Sequence, residues 1–136
     1  MKDPVWIRDD IVVAIHQRQL AEHGGMTGVR DEGLLASALQ RPKNLLLYSE
    51  DPPDLAALAA AYAFGIIRNH SFADGNKRTA FVICRAFLIL NEQDLEALHK
   101  EKVFTFLELA AGRMSEDELA DWIRNHSRSV INHDAK

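Results

Sequence analysis

Nine consecutive residues, His70-Ser71-Phe72-Ala73-Asp74-Gly75-Asn76-Lys77-Arg78, place an imidazole, a carboxylate, a carboxamide, an ammonium and a guanidinium on one short stretch. A glycine at position 75 takes positive φ at no steric cost, so the backbone can turn sharply there. It then presents the successive N–H groups of Asn76, Lys77 and Arg78 at the start of a helix. Free N–H groups at the positive end of a helix dipole bind anions, phosphate above all. Lys77 and Arg78 fall on the first helical turn, where the dipole disfavours cations, and a bound anion would compensate that placement. Asp74, just before the turn, suits a divalent cation bridging phosphate oxygens, because Mg²⁺ commonly takes one or two carboxylates and completes its shell with phosphate and water. An unperturbed imidazole titrates near about pH 6.5, which suits His70 to remove a proton from an attacking hydroxyl. Phe72 alternates with these polar residues and is expected to turn inward and fix the loop on the core. Base, metal ligand and phosphate cradle together point to nucleotide-dependent group transfer.

Taken singly, each of these residues has an ordinary reading: a histidine at a helix end, an Asp-Gly turn, a solvated Asn-Lys-Arg face. Their concurrence on one turn carries the chemistry. His16, His23, His99 and His126 show no ligand spacing with a carboxylate partner, which speaks against a metal-dependent hydrolase. His23, before Gly24, reads as a favourable cation at a helix C-terminus.

The elements that must position this loop are helical. Asp9 and Asp10 precede the apolar stripe Ile11, Val12, Ile15 and Leu20, which stops at Gly24-Gly25, so a first helix is expected near 9–23. Val5-Trp6-Ile7 could form a short strand before it. Asp31 can cap a second helix carrying Leu34, Leu35, Ala38 and Leu39, and Arg41-Pro42 is expected to end it because the residue before proline is pushed out of the α region. A loop is then expected from Pro42 to Asp54, with one apolar patch, Leu45-Leu46-Leu47-Tyr48. Asp54 starts a third helix, apolar on nearly every side and therefore central, running to about Asn69. The fourth runs from near Asn76 through Phe81, Cys84, Phe87 and Leu90. A connector, Asn91 to Leu98, leads to a fifth helix marked by Val103, Phe104, Phe106, Leu107 and Ala110 and closed by Gly112. Ser115 and Glu118 form a capping box for a sixth, carrying Leu119, Trp122 and Ile123. The expectation is an all-α bundle of about six helices, one domain over 1–126, with a polar, loose tail over 127–136.

Composition narrows the function classes. The 136 residues are 47% hydrophobic, enough for one core, and 16 Lys+Arg against 20 Asp+Glu leave a net charge of −4. No uniformly basic face is available for a phosphate backbone, so direct nucleic-acid binding is not expected. The longest apolar run, Leu55 to Ile67, falls short of the roughly 20 residues that span a bilayer. Acids stand in MKDPVWIRDD where a secretory signal has its apolar core. With Cys84 alone, no intrachain disulfide can form. A cytoplasmic protein with no membrane partner is expected.

His70-x-Phe72-x-Asp74-Gly75-Asn76-Lys77-Arg78 resembles the core motif of the Fic/Doc superfamily, with seven constrained positions. The usual Fic version has glycine where this chain has Lys77 and a further arginine where it has Phe81. Lysine marks the Doc (death-on-curing) branch. Val29-Arg30-Asp31-Glu32-Gly33-Leu34-Leu35, then Ala38-Leu39 and Arg41-Pro42, are similar to Doc-type proteins as well. Gly75 departs from the alanine often found in that branch and keeps one Fic-like feature.

The resemblance implies the toxin half of a type II toxin–antitoxin pair, a kinase that uses ATP and Mg²⁺ to phosphorylate a threonine of elongation factor Tu and halt translation. It implies His70 as general base and Asp74 as Mg²⁺ ligand, Gly75 and Asn76 as the phosphate cradle, and Lys77 and Arg78 as neutralising charge in the transfer. In the family, the loop matching Pro42–Asp54 is a flap that aligns the target peptide, for which Leu45–Tyr48 could supply an edge; that these leucines simply pack on the core is an equal alternative. Arg30, Asp31 and Glu32 could form a polar cluster near the groove, though a charged helix start is the more ordinary reading. Two alternatives stay open: AMP transfer onto a protein hydroxyl, as typical Fic proteins do, and a non-catalytic module acting only through its antitoxin. The self-inhibitory pattern Ser/Thr-x-x-x-Glu-Gly/Asn fails here, because Gly28 stands four residues before Glu32-Gly33. Inhibition would come in trans from a Phd-like antitoxin folding into an exposed apolar groove.

Overall fold

The computed structural model describes residues 3–130 and contains six helices: α1 (Asp9–His23), α2 (Glu32–Tyr48), α3 (Leu55–Asn69), α4 (Asn76–Leu90), α5 (His99–Ala110) and α6 (Glu116–His126). Two three-residue strands, β1 (Gln93–Leu95) before α5 and β2 (Ser127–Ser129) after α6, complete it. The all-α bundle expected from the sequence is the observed architecture.

Helix α3 is the axis, packed by α2, α4, α5 and α6. Its small residues explain how so many neighbours reach it: Ala59, Ala60, Ala61 and Ala63 are fully buried. A Cβ on Gly65 would sit 3.2 Å from the Ala38 carbonyl oxygen, so glycine sets the α2–α3 approach. The Tyr62 ring lies 5.1 Å from Phe87, which stacks on Trp6 at 5.9 Å. Caps start the helices where expected. Asp31 accepts from Leu34 N–H, Asp54 from Ala57 N–H, and Ser115 and Glu118 make the reciprocal capping box.

Three expectations are corrected. Helix α2 does not stop at Arg41-Pro42 but runs to Tyr48, with Pro42 buried inside it. Leu35, Ala38, Leu39, Pro42, Leu45 and Leu46 form one stripe at helical spacing, all buried or half-buried against the core. Burying that stripe outweighs the roughly 3 kcal/mol that an interior proline costs. Leu45–Tyr48 is therefore a closing helical turn, with Leu47 and Tyr48 exposed, and not an extended flap edge. Second, Val5-Trp6-Ile7 forms no strand. The Asn91 side chain accepts from Val5 N–H at 2.8 Å and donates to Val5 O at 3.0 Å, and Ile7 N–H donates to Tyr62 Oη at 3.3 Å. Third, the connector after α4 contains β1, which pairs antiparallel with β2, Gln93 opposite Ser129 and Leu95 opposite Ser127. The polar segment from Ser127 thus begins as a strand; residues 131–136 lie outside the described part. Helix α5 follows the connector directly, starting at His99 as expected. No helix among the described residues is long and apolar enough to cross a membrane.

Candidate phosphate-binding and transfer site

The third helix ends because His70 adopts the left-handed conformation, φ 47° and ψ 54°, and its N–H bonds back to Ile67 O at 3.2 Å. Phe72 then turns into the core, 1% exposed, as its alternation with polar neighbours predicted. Gly75 takes φ 75°, and α4 begins at once. The first intrahelical donor is Thr79 N–H, to Gly75 O at 3.0 Å, so the N–H groups of Asn76, Lys77 and Arg78 have no acceptor within the helix. They open onto a cleft of about 330 Å³ lined by His70, Ala73, Asp74, Gly75, Asn76, Lys77 and Arg78. All six residues singled out from the sequence line this one cleft.

Their side chains divide into two kinds. Those of His70 and Lys77 make no hydrogen bond or ion pair among the described residues, and both residues are exposed. Arg78 donates through one terminal nitrogen to Gly24 O at 3.2 Å, while its Nε is buried without a partner. Buried donors are rarely left unpaired, so this one is a candidate for an anionic acceptor. Asn76 is of the other kind. Its Oδ1 accepts from Phe72 N–H and its Nδ2 donates to Phe72 O, both at 2.9 Å, so the carboxamide braces the loop. What Asn76 offers an anion is its backbone N–H.

Asp74 accepts from its neighbour Gly75 N–H at 2.8 Å and from Met26 N–H at 3.3 Å. These two N–H groups, the Gly75 bond first, hold its carboxyl below the ordinary carboxylate range, with smaller help from Arg78 and His16. The carboxylate stays exposed, with lone pairs free for a cation. No group of three or more metal-ligating side chains occurs among the described residues. A metal at Asp74 would therefore take its other ligands from phosphate and water, as Mg²⁺ commonly does.

Two residues outside the motif complete this geometry: Arg30, which the sequence offered only within a polar cluster near the groove, and His16, which it did not assign to the site. The loop Gly24–Arg30 runs alongside the motif: Val29 bridges antiparallel to Phe72, Ala73 N–H donates to Gly28 O, and Arg30 N–H donates to Ser71 O. The Arg30 guanidinium reaches the carbonyls of His70 at 2.7 Å and Asn69 at 2.8 Å, the exposed end of α3. So Arg30 holds the turn that displays His70, while its neighbour Asp31 caps α2. His16, buried on α1, lies 2.8 Å from Asp74 O. Gly25 lets the first loop come this close: a Cβ there would stand 2.9 Å from Asp74 Oδ2.

His70 lines a second cleft, of about 450 Å³, with Phe64, Arg68, Leu109, Met114, Ser115 and others between α3, α5 and α6. An apolar cleft of about 410 Å³ lies between α4 and α5 on the other side of Lys77 and Arg78, lined by Phe81, Val103, Phe106 and Leu107.

Comparison with known proteins places these features in a context. A model of the Fic/DOC family matches residues 6–88, from the segment before α1 nearly to the end of α4. A protein named Toxin Doc from Mycolicibacterium smegmatis is 42% identical over 74 residues, 54% of this chain and 57% of that protein, so the match spans little more than half the relative. A protein named Protein kinase doc from Escherichia phage P1 is 28% identical over 119 residues, 87% of this chain and 92% of that one.

Proposed function

The chain belongs to the Fic/DOC family, and on that premise we propose that it is the toxin of a toxin–antitoxin pair, a protein kinase that transfers the γ-phosphate of ATP to a threonine hydroxyl of elongation factor Tu and so inhibits translation. The names of its relatives, a toxin and a protein kinase, favour this reading. The observation that carries it is the position of His70, whose unpartnered imidazole stands on the rim shared by the anion cleft and the cleft beside α5 and α6. A base so placed can face a phosphate on one side and a target hydroxyl on the other.

In this reading ATP with Mg²⁺ supplies the phosphoryl group and the cation that screens it. His70 would take the proton of the target hydroxyl as its oxygen bonds to the γ-phosphorus and the bond to the β-phosphate oxygen breaks, with ADP as leaving group. Asp74, held ionised by Gly75 and Met26 N–H, would hold the Mg²⁺. The N–H groups of Asn76, Lys77 and Arg78, with the free Arg78 Nε and the Lys77 ammonium, stabilise charge on the phosphates. A Phe81 side chain packed edge-on against Phe106, ring centroids 5.1 Å apart, stands where typical Fic proteins place a further arginine. An antitoxin segment, Phd-like in the family's manner, would inhibit in trans by covering the apolar cleft between α4 and α5. Val103 and Leu107 are 43% and 44% exposed there, beside the phosphate-binding cations.

The test is the intact mass of purified elongation factor Tu after incubation with this protein, ATP and Mg²⁺, beside a His70→Ala control. A gain of one phosphate, absent in the control, is the expected result. A gain of one AMP would replace the kinase by the AMP-transfer alternative. Growth arrest that survives His70→Ala would favour the non-catalytic module.

A further inference from the structure

We infer that His16 is a positioning residue of the site, holding Asp74 and fixing where α4 begins. It lies 58 residues from Asp74 in sequence, is 1% exposed, and its Nε2 meets the Asp74 carbonyl oxygen at 2.8 Å. A carbonyl can only accept, so Nε2 carries the hydrogen, and the bond defines the tautomer. The same ring stacks on Phe72, centroids 3.8 Å apart and planes 9° from parallel. It also lies against the glycine of the turn: a Cβ at position 75 would be 3.8 Å from Nε2. One buried side chain thus touches three residues of the motif.

The bond matters because of the carbonyl it occupies. In a helix extended by one residue, Asp74 O would accept from Arg78 N–H, four positions on. Here Gly75, at φ 75°, breaks the helical path between that oxygen and Arg78 N–H, so α4 starts at Asn76 and the oxygen meets His16 instead. The His16 bond therefore secures the turn that keeps one donor of the anion cradle available. It also fixes the peptide between Asp74 and Gly75, and with it the Gly75 N–H that orients the Asp74 carboxylate. Groups that orient a metal ligand from behind typically change metal affinity about 10- to 100-fold when removed. This role rests on the proposed use of Asp74 as a metal ligand, whereas the effect on Arg78 N–H does not.

Two substitutions separate the hydrogen bond from the ring. His16→Phe keeps an aromatic ring for Phe72 and removes the donor; His16→Gln keeps an N–H donor near the Nε2 position and removes the ring. Amide hydrogen exchange of Arg78 is followed by NMR in the ligand-free protein. Mn²⁺ binding is followed by electron paramagnetic resonance with a non-hydrolysable ATP analogue. In His16→Phe, Arg78 N–H is expected to bond to the released carbonyl and to exchange about tenfold more slowly, the worth of one net hydrogen bond. Mn²⁺ affinity should fall about tenfold or more in the same variant. His16→Gln should match the wild type in both. A His16→Phe protein indistinguishable from wild type, or a His16→Gln protein impaired while His16→Phe is not, would reduce His16 to a packing residue and overturn the inference. If the wild type binds no Mn²⁺ with the nucleotide, the proposed function fails instead, and Arg78 exchange alone decides the role of His16.

Discussion

Replacing Asn76 by alanine should destabilise the protein before any ligand is considered. Its carboxamide makes two bonds at 2.9 Å to the backbone of Phe72, a residue 1% exposed. Alanine leaves that N–H and C=O without partners, in a place that water reaches poorly. Each stranded group costs about 1–1.5 kcal/mol, in the lower half of the range for buried polar groups because Asn76 itself is only half-buried, so the pair costs about 2–3 kcal/mol. For 136 residues the entropy of unfolding near the midpoint is about 0.3 kcal/mol per kelvin, which converts the loss into a fall in Tm of about 7–10 °C. The assay is thermal unfolding by far-UV circular dichroism, without nucleotide or metal. A Lys77→Ala control, whose side chain has no partner among the described residues, should move Tm by less than about 2 °C. If Asn76→Ala also moves Tm by less than about 2 °C, the carboxamide does not hold the loop, and its place in the phosphate cradle returns to contention.

Other substitutions should separate shape from chemistry. Gly75→Ala meets only ordinary contacts but must hold φ 75°, so it should fold with a loss of about 1–2 kcal/mol in chemical denaturation; Gly25→Ala drives a Cβ against Asp74 Oδ2 and should lose divalent-cation binding as well, read by Mn²⁺ titration. Hydrogen bonds from Arg124 and Arg85 hold the carboxyls of Asp54 and Asp94 below their ordinary value of 3.8. The stability they add is therefore complete above about pH 4 and lost as pH falls through the lowered values, so Tm should drop on acidification, less steeply in an Asp54→Asn, Asp94→Asn double variant. Burial pushes the Cys84 thiol up to about 12, so iodoacetamide followed by mass spectrometry should label it only after unfolding.

What could be read from the sequence was what is decided locally. Asp31, Asp54 and Ser115 each cap a helix three residues away, and Gly75 turns the chain at its own position, so composition and spacing were sufficient there. The six residues of the cleft were legible for the same reason: all lie within nine positions. Pro42 misled because a local breaker competed with a nonlocal gain, the burial of the Leu35–Leu46 stripe on α3. Strands β1 and β2 are three residues each and pair across 32 positions or more, too short to carry a periodic signal. His16 and Arg30 act across 58 and 40 residues. Arg30 stood out only among the charges of a helix start near the groove, and nothing near His16 marks it as part of the site. Asn76 was expected to shape the cradle, but that its carboxamide does so by bracing Phe72 was not legible, since type and position do not tell which way a carboxamide turns.

The bonds that hold the motif loop end mainly on its backbone. His16 takes the carbonyl of Asp74, Arg30 those of Asn69 and His70, Asn76 both groups of Phe72, and the Gly28–Arg30 segment the groups of Ser71 and Ala73. The imidazole of His70, the ammonium of Lys77 and the Nε of Arg78 receive none of these. Interactions spent on the backbone fix shape, and side chains left without partners remain free to meet charge that develops during transfer, which is how a preorganised electrostatic site is built. Such a loop should change little when phosphate arrives, because its conformation is already specified from three directions. Amide shifts of residues 69–74 are therefore expected to move less on addition of an ATP analogue with Mg²⁺ than those of 76–78, whose N–H groups open onto the cleft. Shift changes concentrated in 69–74 would mean that the ligand shapes the loop, and that the bonds of His16, Arg30 and Asn76 are too weak to preorganise it.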